Sequence, residues 1–173
     1  MLRNDLLKDP EFRDFCFGLN VLVDSREKQN DHILSWFTEN NIDFSYTALP
    51  FGDYSLCSDS LDLTTTFALE RKSDPDEFRR CLMDTSLRFE AELAKARCRG
   101  IDLTVFIENS SFDDFIGGDP YHSIPCGKYF RETRWLHHLY GTDFLLCSPA
   151  SSGRLIYDSL LVRAWLLHKG FRP

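Results

Sequence analysis

A buried strand and a capped helix meet within residues 67–76, and this junction is the strongest constraint on the fold. Phe-Ala-Leu at 67–69 is an apolar start typical of a strand inside a sheet. Ser-Asp-Pro at 73–75, followed by Glu77, is typical of a helix whose first residue is proline. Glu-Arg-Lys at 70–72 lies between the two elements, so the sequence predicts a cluster of charges at an open end of a sheet.

Glu70 and Lys72 are two residues apart, so their side chains point to the same face of a strand. A carboxylate beside an ammonium suits metal-assisted hydrolysis. The acid holds a divalent cation, and the lysine orients the attacking water or stabilises charge on a phosphoryl oxygen. A surface ion pair at the end of a strand would show the same two residues, so the pair alone leaves both interpretations open.

Further acids lie upstream, each next to an apolar run. Asp53 follows Gly52 at a turn that leads into a strand. Asp24 and Glu27 come just past another apolar run, which ends at Val23. Three predicted strand ends therefore carry carboxylates.

The order of these residues resembles a known nuclease signature. Gly-Asp at 52–53 followed by Glu-x-Lys at 70–72 is similar to the core of the PD-(D/E)XK nuclease superfamily. The longer pattern, Glu-Arg-Lys with three residues before Asp76, resembles the GDX(n)ERKX3D signature of the XPF-type (XPF/Hef-like) structure-specific endonucleases. The resemblance covers roughly residues 20–165.

This resemblance implies an α/β fold of the restriction-endonuclease type, a three-layer α/β/α core with a central mixed sheet. It also implies a Mg²⁺- or Mn²⁺-dependent endonuclease that cuts DNA at branched, flapped or otherwise structured sites. Asp53 and Glu70 match the family's principal metal ligands. Asp24 matches an acid at the same metal cluster, and Lys72 matches the catalytic lysine. The motif positions around them are Arg26, Glu27, Arg71 and Asp76.

Asp76 falls in the first turn of the predicted helix and has two possible roles. Its carboxylate can pair with Arg71 or Lys72 and keep the lysine charged and aimed. Alternatively, it simply caps the helix.

The other periodicities predict alternating strands and helices, the pattern of an α/β layer fold. Three strand-like runs at 42–49, 54–57 and 61–69 are joined by turns and indicate an antiparallel meander. Residues 1–18 are expected to form a helical leader packed on the core. The longest irregular segment is 110–128.

A chain of 173 residues with 43% hydrophobic residues suits one core. We expect 1–173 to be a single nuclease domain, without the helix-hairpin-helix module of many XPF-type relatives. The sequence has neither an apolar run of membrane-spanning length nor a signal-peptide pattern, so we expect no membrane and a cytoplasmic protein. Six cysteines without a Cys-x-x-Cys pair are interpreted as reduced thiols.

The net charge of −7 argues against indiscriminate coating of nucleic acid, since phosphate neutralisation supplies most non-specific affinity. DNA remains the expected partner, because bound cations offset part of the charge and basic residues can cluster on one face. One predicted helix offers such residues, with a solvated surface as the alternative to phosphate contact. They are Arg88, Lys95, Arg97 and Arg99.

Two other functions are compatible with this sequence. A catalytically silent interaction subunit would keep the fold, but such partners usually lose the acids or the lysine, which are all present here. A restriction-type or RNA-directed nuclease would keep the site and change the substrate.

The last predicted helix, 153–169, is apolar nearly all round and must be covered on more than one side. The aromatic-rich segment 129–140 could cover part of it within the chain. The alternative is a second copy, since XPF-type domains pair through their late helices. The sequence therefore predicts a homodimer with Trp165 or Leu161 in the interface.

Overall fold

The computed structural model describes residues 8–84, 87–113 and 127–171. In these residues one mixed sheet lies between two layers of helices, which confirms the predicted three-layer α/β/α fold. The strands are β1 (Asn20–Asp24), β2 (Phe44–Thr47), β3 (Tyr54–Ser58), β4 (Leu61–Asp62), β5 (Phe67–Lys72), β6 (Asp102–Glu108) and β7 (Asp143–Cys147). The helices are α1 (Pro10–Cys16), α2 (Asp31–Glu39), α3 (Pro75–Met83), α4 (Arg88–Cys98), α5 (Lys128–Tyr140) and α6 (Pro149–His168).

The strand order is β2-β1-β3-β5-β6-β7, with β4 paired to β3. Strands β5, β6 and β7 are parallel, whereas β3 is antiparallel to both β1 and β5. The predicted meander is wrong at β2, which lies at the outer edge and pairs in parallel with β1. The reason is α2, which carries the chain back along the sheet so that β2 starts at the same end as β1.

Each face of the sheet has its own apolar core. On one face, α2 and α6 cover the sheet, and residues such as Phe37 and Ile156 are fully buried. On the other face, α3, α4 and α5 pack through residues such as Phe78 and Leu93. The two helices α2 and α6 approach closely because Gly153 leaves room for Trp36, whose Cβ would lie 2.9 Å from an added methyl group.

Helix α1 covers one end of α6. The Phe12 and Phe15 rings lie 5.1 Å and 5.2 Å from the Trp165 ring, and only 8% of Trp165 is exposed. Leu161 is partly buried against the same core. The chain's own N-terminal helix therefore covers Trp165, whereas Leu161 stays partly exposed, and the homodimer remains a prediction.

Two other expectations concern the irregular segment 110–128 and membrane-spanning helices. Most of the irregular segment 110–128 lies outside the described residues. Among the helices that the structure describes, none is long and apolar enough to cross a membrane.

Candidate active site

Strand β5 separates its charged residues by face. Leu69 belongs to the core under α2 and α6, whereas Ala68 belongs to the core under α3, α4 and α5. Because side chains alternate along a strand, Glu70 and Lys72 lie on the same face of the sheet as Ala68, and Arg71 lies on the same face as Leu69. All three are at most 9% exposed. The Glu-Arg-Lys sequence therefore supplies a carboxylate and an ammonium to one layer and a guanidinium to the other.

Asp53 lies just before β3 and is fixed between β1 and β5 by hydrogen bonds to their backbones. Its N–H donates to the Leu69 carbonyl at 2.7 Å, and its carbonyl accepts from the Asp24 N–H at 2.8 Å. Its side-chain Oδ2 accepts from the Arg71 N–H at 2.8 Å. Gly52 precedes it with φ +67°. These bonds hold the Asp53 carboxylate beside β5, as the predicted site requires.

Lys72 and Glu70 form the closest ion pair of the predicted site residues on this face. Lys72 Nζ donates to Glu70 Oε1 at 2.6 Å and lies 3.8 Å from Glu77 Oε1. The ammonium also lies 5.6 Å from the centre of the Phe89 ring. Burial alone would lower the pKa of Lys72, but the negative charge of Glu70, the hydrogen bond to Glu70 and the nearby Cys81 and Glu77 together outweigh it and hold the pKa above its ordinary value. The lysine is therefore charged at neutral pH.

Asp53 and Glu70 repel each other in this setting. Burial raises the pKa of Asp53 well above its ordinary value, and the negative charge of Glu70 raises it further. The Arg71 N–H and the Lys72 charge offset part of this effect. A divalent cation between the two carboxylates would relieve the repulsion, and oxygen ligands are those that Mg²⁺ and Mn²⁺ prefer.

The two carboxylates of Asp53 and Glu70 suit a metal ion that takes few of its ligands from the protein. Within the ranges that the structure describes, no group of three or more His, Cys, Asp or Glu side chains is arranged to hold a metal. Mg²⁺ does not need one, because it is commonly bound by one or two carboxylates together with water and substrate phosphate. Asp53 and Glu70 can supply those two carboxylates.

Asp24 has a different environment from the one predicted. Its Oδ1 accepts from the Arg26 N–H and Nε, both at 2.7 Å, and its Oδ2 accepts from Arg26 Nη2 at 2.9 Å and the Leu49 N–H at 2.8 Å. Burial alone would raise the pKa of Asp24, but these bonds outweigh it and lower the pKa. The geometry disagrees with the predicted role as a metal ligand, because four hydrogen bonds already use both oxygens. Asp24 instead ties the end of β1 to the segment that precedes β3.

Arg71 is the centre of a buried ionic network on the opposite face. Its guanidinium donates to Glu27 Oε1 at 2.6 Å, to Glu108 Oε2 at 2.9 Å and to the Gln29 carbonyl at 3.0 Å. Glu108 also contacts His32 Nε2 at 3.0 Å. The network holds Arg71 in place, and the Arg71 N–H in turn holds Asp53. Arg71 and Glu27 therefore support the site from beneath.

We expect Glu108→Gln to destabilise the protein by about 3 kcal/mol, because removal of one partner from a buried ion pair leaves the other charge underpaired. The remaining Glu27 contact keeps the loss at the lower end of the usual range. Burial alone would raise the pKa of Glu108, but the hydrogen bonds from Arg71, His32 and Ser152 and the Arg71 charge together outweigh it, and the pKa lies below its ordinary value. Its contribution is therefore present above the unfolded-state pKa and is lost as pH falls through the folded-state pKa.

Urea unfolding at pH 7 and at acid pH measures this difference. The gap between wild type and Glu108→Gln should shrink in acid. Glu39→Gln is the matched control, since Glu39 is exposed on α2 and its substitution should change stability by less than about 0.5 kcal/mol. Equal stability of the two variants would contradict the role of Glu108.

The first turn of α3 differs from the prediction for Asp76. Asp76 pairs with Arg79 at 3.2 Å and is 68% exposed, so it contacts neither Lys72 nor Arg71. It does not cap the helix either, because Asp74 Oδ1 accepts from the Glu77 N–H at 2.7 Å. The lysine's second partner is Glu77. The prediction chose the wrong residue of this turn, because the side chain that points to Lys72 is that of Glu77, one position after Asp76.

The basic residues of α4 do not form one face. All four are exposed, and Arg88 pairs with Asp84 at 3.1 Å. At about 100° per residue, Arg88, Lys95 and Arg99 lie on one side and Arg97 lies on the other. The Arg99 guanidinium lies 5.4 Å from the Phe51 ring, next to the turn that carries Asp53. A phosphate-binding surface on this helix therefore excludes Arg97.

Comparison with known proteins gives structural matches. XPF from Aeropyrum pernix matches with a TM-score of 0.62 at 19% sequence identity, over 86% of this chain and 71% of that chain. XPF from Aeropyrum pernix in complex with DNA matches with a TM-score of 0.57 at 19% identity, over 87% of this chain and 66% of that chain. No protein-family model and no curated protein matches the sequence. The chain thus has the fold of XPF from Aeropyrum pernix, which confirms the predicted fold class and, at the level of the fold, the predicted resemblance.

Proposed function

We propose that the protein is a divalent-metal-dependent endonuclease that hydrolyses DNA phosphodiesters, with branched, flapped or other structured DNA as its substrate. The observation that carries this proposal is the position of Asp53 beside the buried Glu70 and Lys72 at the end of β5. The shared fold with XPF from Aeropyrum pernix, one structure of which contains DNA, supports the substrate class.

Each residue of this face has a separate task in hydrolysis. Asp53 and Glu70 would hold Mg²⁺ or Mn²⁺, which would polarise a phosphoryl oxygen and lower the pKa of a bound water. Lys72 places a permanent positive charge where negative charge develops on the phosphate. The burial of Glu70 and Lys72 strengthens these interactions, because charges interact more strongly in a medium of low dielectric constant.

The Glu70–Lys72 bond aims the lysine at the site. With the ammonium 2.6 Å from Glu70 Oε1, a phosphate oxygen bound next to Glu70 lies within its reach. The Phe89 ring covers the other side of the ammonium. Lys72 is therefore arranged to stabilise charge and not to accept a proton, because its raised pKa keeps it protonated.

The alternatives differ in what they predict. A silent subunit does not need a buried lysine bonded to an acid beside a second acid, and this arrangement favours a cutting enzyme. A restriction-type or RNA-directed nuclease would use the same three residues, so the substrate panel below distinguishes it.

The experiment is incubation of the protein with Mg²⁺ or Mn²⁺ and end-labelled single-stranded, duplex, flap and fork DNAs, together with matched RNAs. We expect metal-dependent cuts in flap or fork DNA and none in the presence of a chelator. Cleavage of RNA alone would replace DNA as the substrate. The absence of any cleavage by a folded protein would favour the silent subunit.

The second part of the proposal is a homodimer through α6. Leu155, Val162 and Leu166 lie on one side of this helix and are 36%, 50% and 40% exposed. The opposite side carries Gly153 and packs on α2. Leu145 of the edge strand β7 is 43% exposed and points to the same face of the sheet as α6, because Cys147 belongs to that core.

These four residues form an apolar surface at an open edge of the sheet, which suits a self-complementary two-fold contact. We expect light scattering to give twice the chain mass at micromolar concentration. The double variant Val162→Glu, Leu166→Glu should give the single-chain mass. Phe17→Glu is the control, since Phe17 is 81% exposed on the segment after α1. A wild-type protein with the mass of one chain would contradict the dimer.

A further inference from the structure

Helix α4 directs a carboxylate at the proposed site that no motif includes. Its Phe89 ring contacts the Lys72 ammonium at 5.6 Å. Glu92 lies one turn later on the same helix and is therefore on the same side as Phe89. Leu93, the next residue, is 1% exposed in the core between α4 and the sheet. Glu92 thus lies at the boundary between this core and the open end of β5, and it is partly buried.

Glu92 has no partner among the described residues, in contrast to its neighbours in the site. Lys72 is bonded to Glu70, and Asp53 accepts from the Arg71 N–H. Glu90 on the same helix accepts from the Tyr140 hydroxyl at 2.6 Å. A partly buried carboxylate without a hydrogen bond or ion pair is costly, so its presence at this position needs an explanation.

The charges around Glu92 include those of the site. Burial raises the pKa of Glu92, and the negative charge of Glu70 raises it further, whereas Lys72, Arg26 and Lys95 on the same helix lower it. The pKa of Arg26 is raised by its bond to Asp24, with smaller effects from Asp53 and Glu92. Glu92 therefore lies within electrostatic reach of both strand ends that bound the site.

We propose that Glu92 is a positioning residue that holds the attacking water, by accepting a hydrogen bond from it, in line with the phosphorus atom. This role rests on the nuclease function proposed above. In the reaction the water oxygen bonds to phosphorus, the ester bond to the leaving oxygen breaks, and one proton passes from the water to solvent while the leaving oxygen takes one from solvent. Asp53 and Glu70 would hold the metal, and Glu92 orients the nucleophile.

Two other roles for Glu92 make different predictions. If Glu92 ligated the metal directly, its loss would weaken metal binding. If it only repelled DNA, its loss would strengthen DNA binding and raise the rate. A water-holding carboxylate affects neither metal nor DNA affinity and acts on kcat.

The test compares Glu92→Gln with Glu90→Gln, which makes the same change on the same helix away from the site. We expect Glu92→Gln to lower kcat by about 10- to 100-fold, as for other groups that orient ligands around a metal. KM for flap DNA and the Mn²⁺ affinity measured by calorimetry should stay within about twofold of wild type. The unfolding midpoint should not fall, since an unpaired carboxylate is removed. Glu90→Gln should keep wild-type kcat.

Each other outcome overturns the role. An unchanged kcat in Glu92→Gln, with an active wild type, removes this inference and leaves the nuclease proposal intact. A loss of Mn²⁺ affinity makes Glu92 a ligand, and a lower KM with a higher rate makes it a repulsive charge. A wild-type protein that cuts no substrate removes the nuclease proposal and this role with it.

Discussion

Asp53→Asn is expected to reduce DNA cleavage by about a thousandfold or more, equivalent to about 4 kcal/mol of transition-state stabilisation. The substitution removes one of the two charges proposed to hold the metal and changes the size of the side chain very little. The Asn side chain can still accept the hydrogen bond from the Arg71 N–H, which is 2.8 Å from Oδ2 in the native protein. The effect should therefore fall on catalysis and leave the fold intact.

The same variant should be at least as stable as wild type at neutral pH. Because burial and Glu70 raise the pKa of Asp53 in the folded state, its contribution to stability is present below the unfolded-state pKa and lost as pH rises through the folded-state pKa. Without metal, the stability of wild type should fall relative to Asp53→Asn as pH rises above the unfolded-state pKa. Added Mn²⁺ should stabilise wild type and not the variant, because a ligand stabilises the state that binds it.

Single-turnover cleavage assays and urea unfolding with and without Mn²⁺ measure both effects. Asp59→Asn is the control, because Asp59 is exposed in the turn between β3 and β4 and should retain wild-type rate and metal response. A cleavage rate in Asp53→Asn equal to that of wild type would remove Asp53 from the metal site.

Gly52→Ala is expected to destabilise the protein by about 3 kcal/mol or more and to lower cleavage as well. Gly52 has φ +67°, a conformation that costs a side chain free energy, and an added Cβ would lie 2.6 Å from the Leu69 carbonyl oxygen. That oxygen accepts the hydrogen bond from the Asp53 N–H. The methyl group would push β5 away from the turn and displace the Asp53 carboxylate.

Gly18→Ala isolates the conformational part of this effect. Gly18 has φ +79° with nothing within 4 Å of an added Cβ, so its substitution should cost only about 1 kcal/mol. Unfolding midpoints of the two variants give the difference. Equal destabilisation would mean that the approach to Leu69 is unimportant and that only the backbone conformation requires glycine at position 52.

The parts of the fold that depend on neighbouring residues were predictable from the sequence. The β5–α3 junction is one example, because the Asp74 cap and the Pro75 start are local signals. The placement of Asp53 beside Glu70 and Lys72 was predictable only through the signature, since no local pattern brings residue 53 to β5. Strand β2 shows the limit, because its edge position depends on which distant strand it pairs with.

The errors at the site have a common physical cause. Asp24 and Asp76 occupy motif positions. The Asp24 oxygens, however, accept hydrogen bonds from Arg26 and the Leu49 N–H, and the Asp76 carboxylate pairs with Arg79. Sequence spacing gives the residue type near a site and not the direction of its side chain. Glu92 was missed for the same reason. The only sequence signal for Glu92 was its position three residues after Phe89, which places both on one side of the helix. Nothing in the sequence shows that Phe89 faces Lys72.

The alternation along β5 makes the order of its three charged residues as important as their identity. Arginine and lysine have the same charge, but they stand on opposite sides of the sheet, one enclosed by Glu27 and Glu108 and the other facing Glu70. A one-residue insertion before Glu70 would keep the three charged residues in order but move each of them to the other side of the sheet. The ammonium would then lie among Glu27 and Glu108, and the guanidinium would lie on the face of the proposed active site. Alternate positions of this strand thus face opposite sides of the sheet, so Arg71 stabilises the fold while its neighbours Glu70 and Lys72 face the proposed active site.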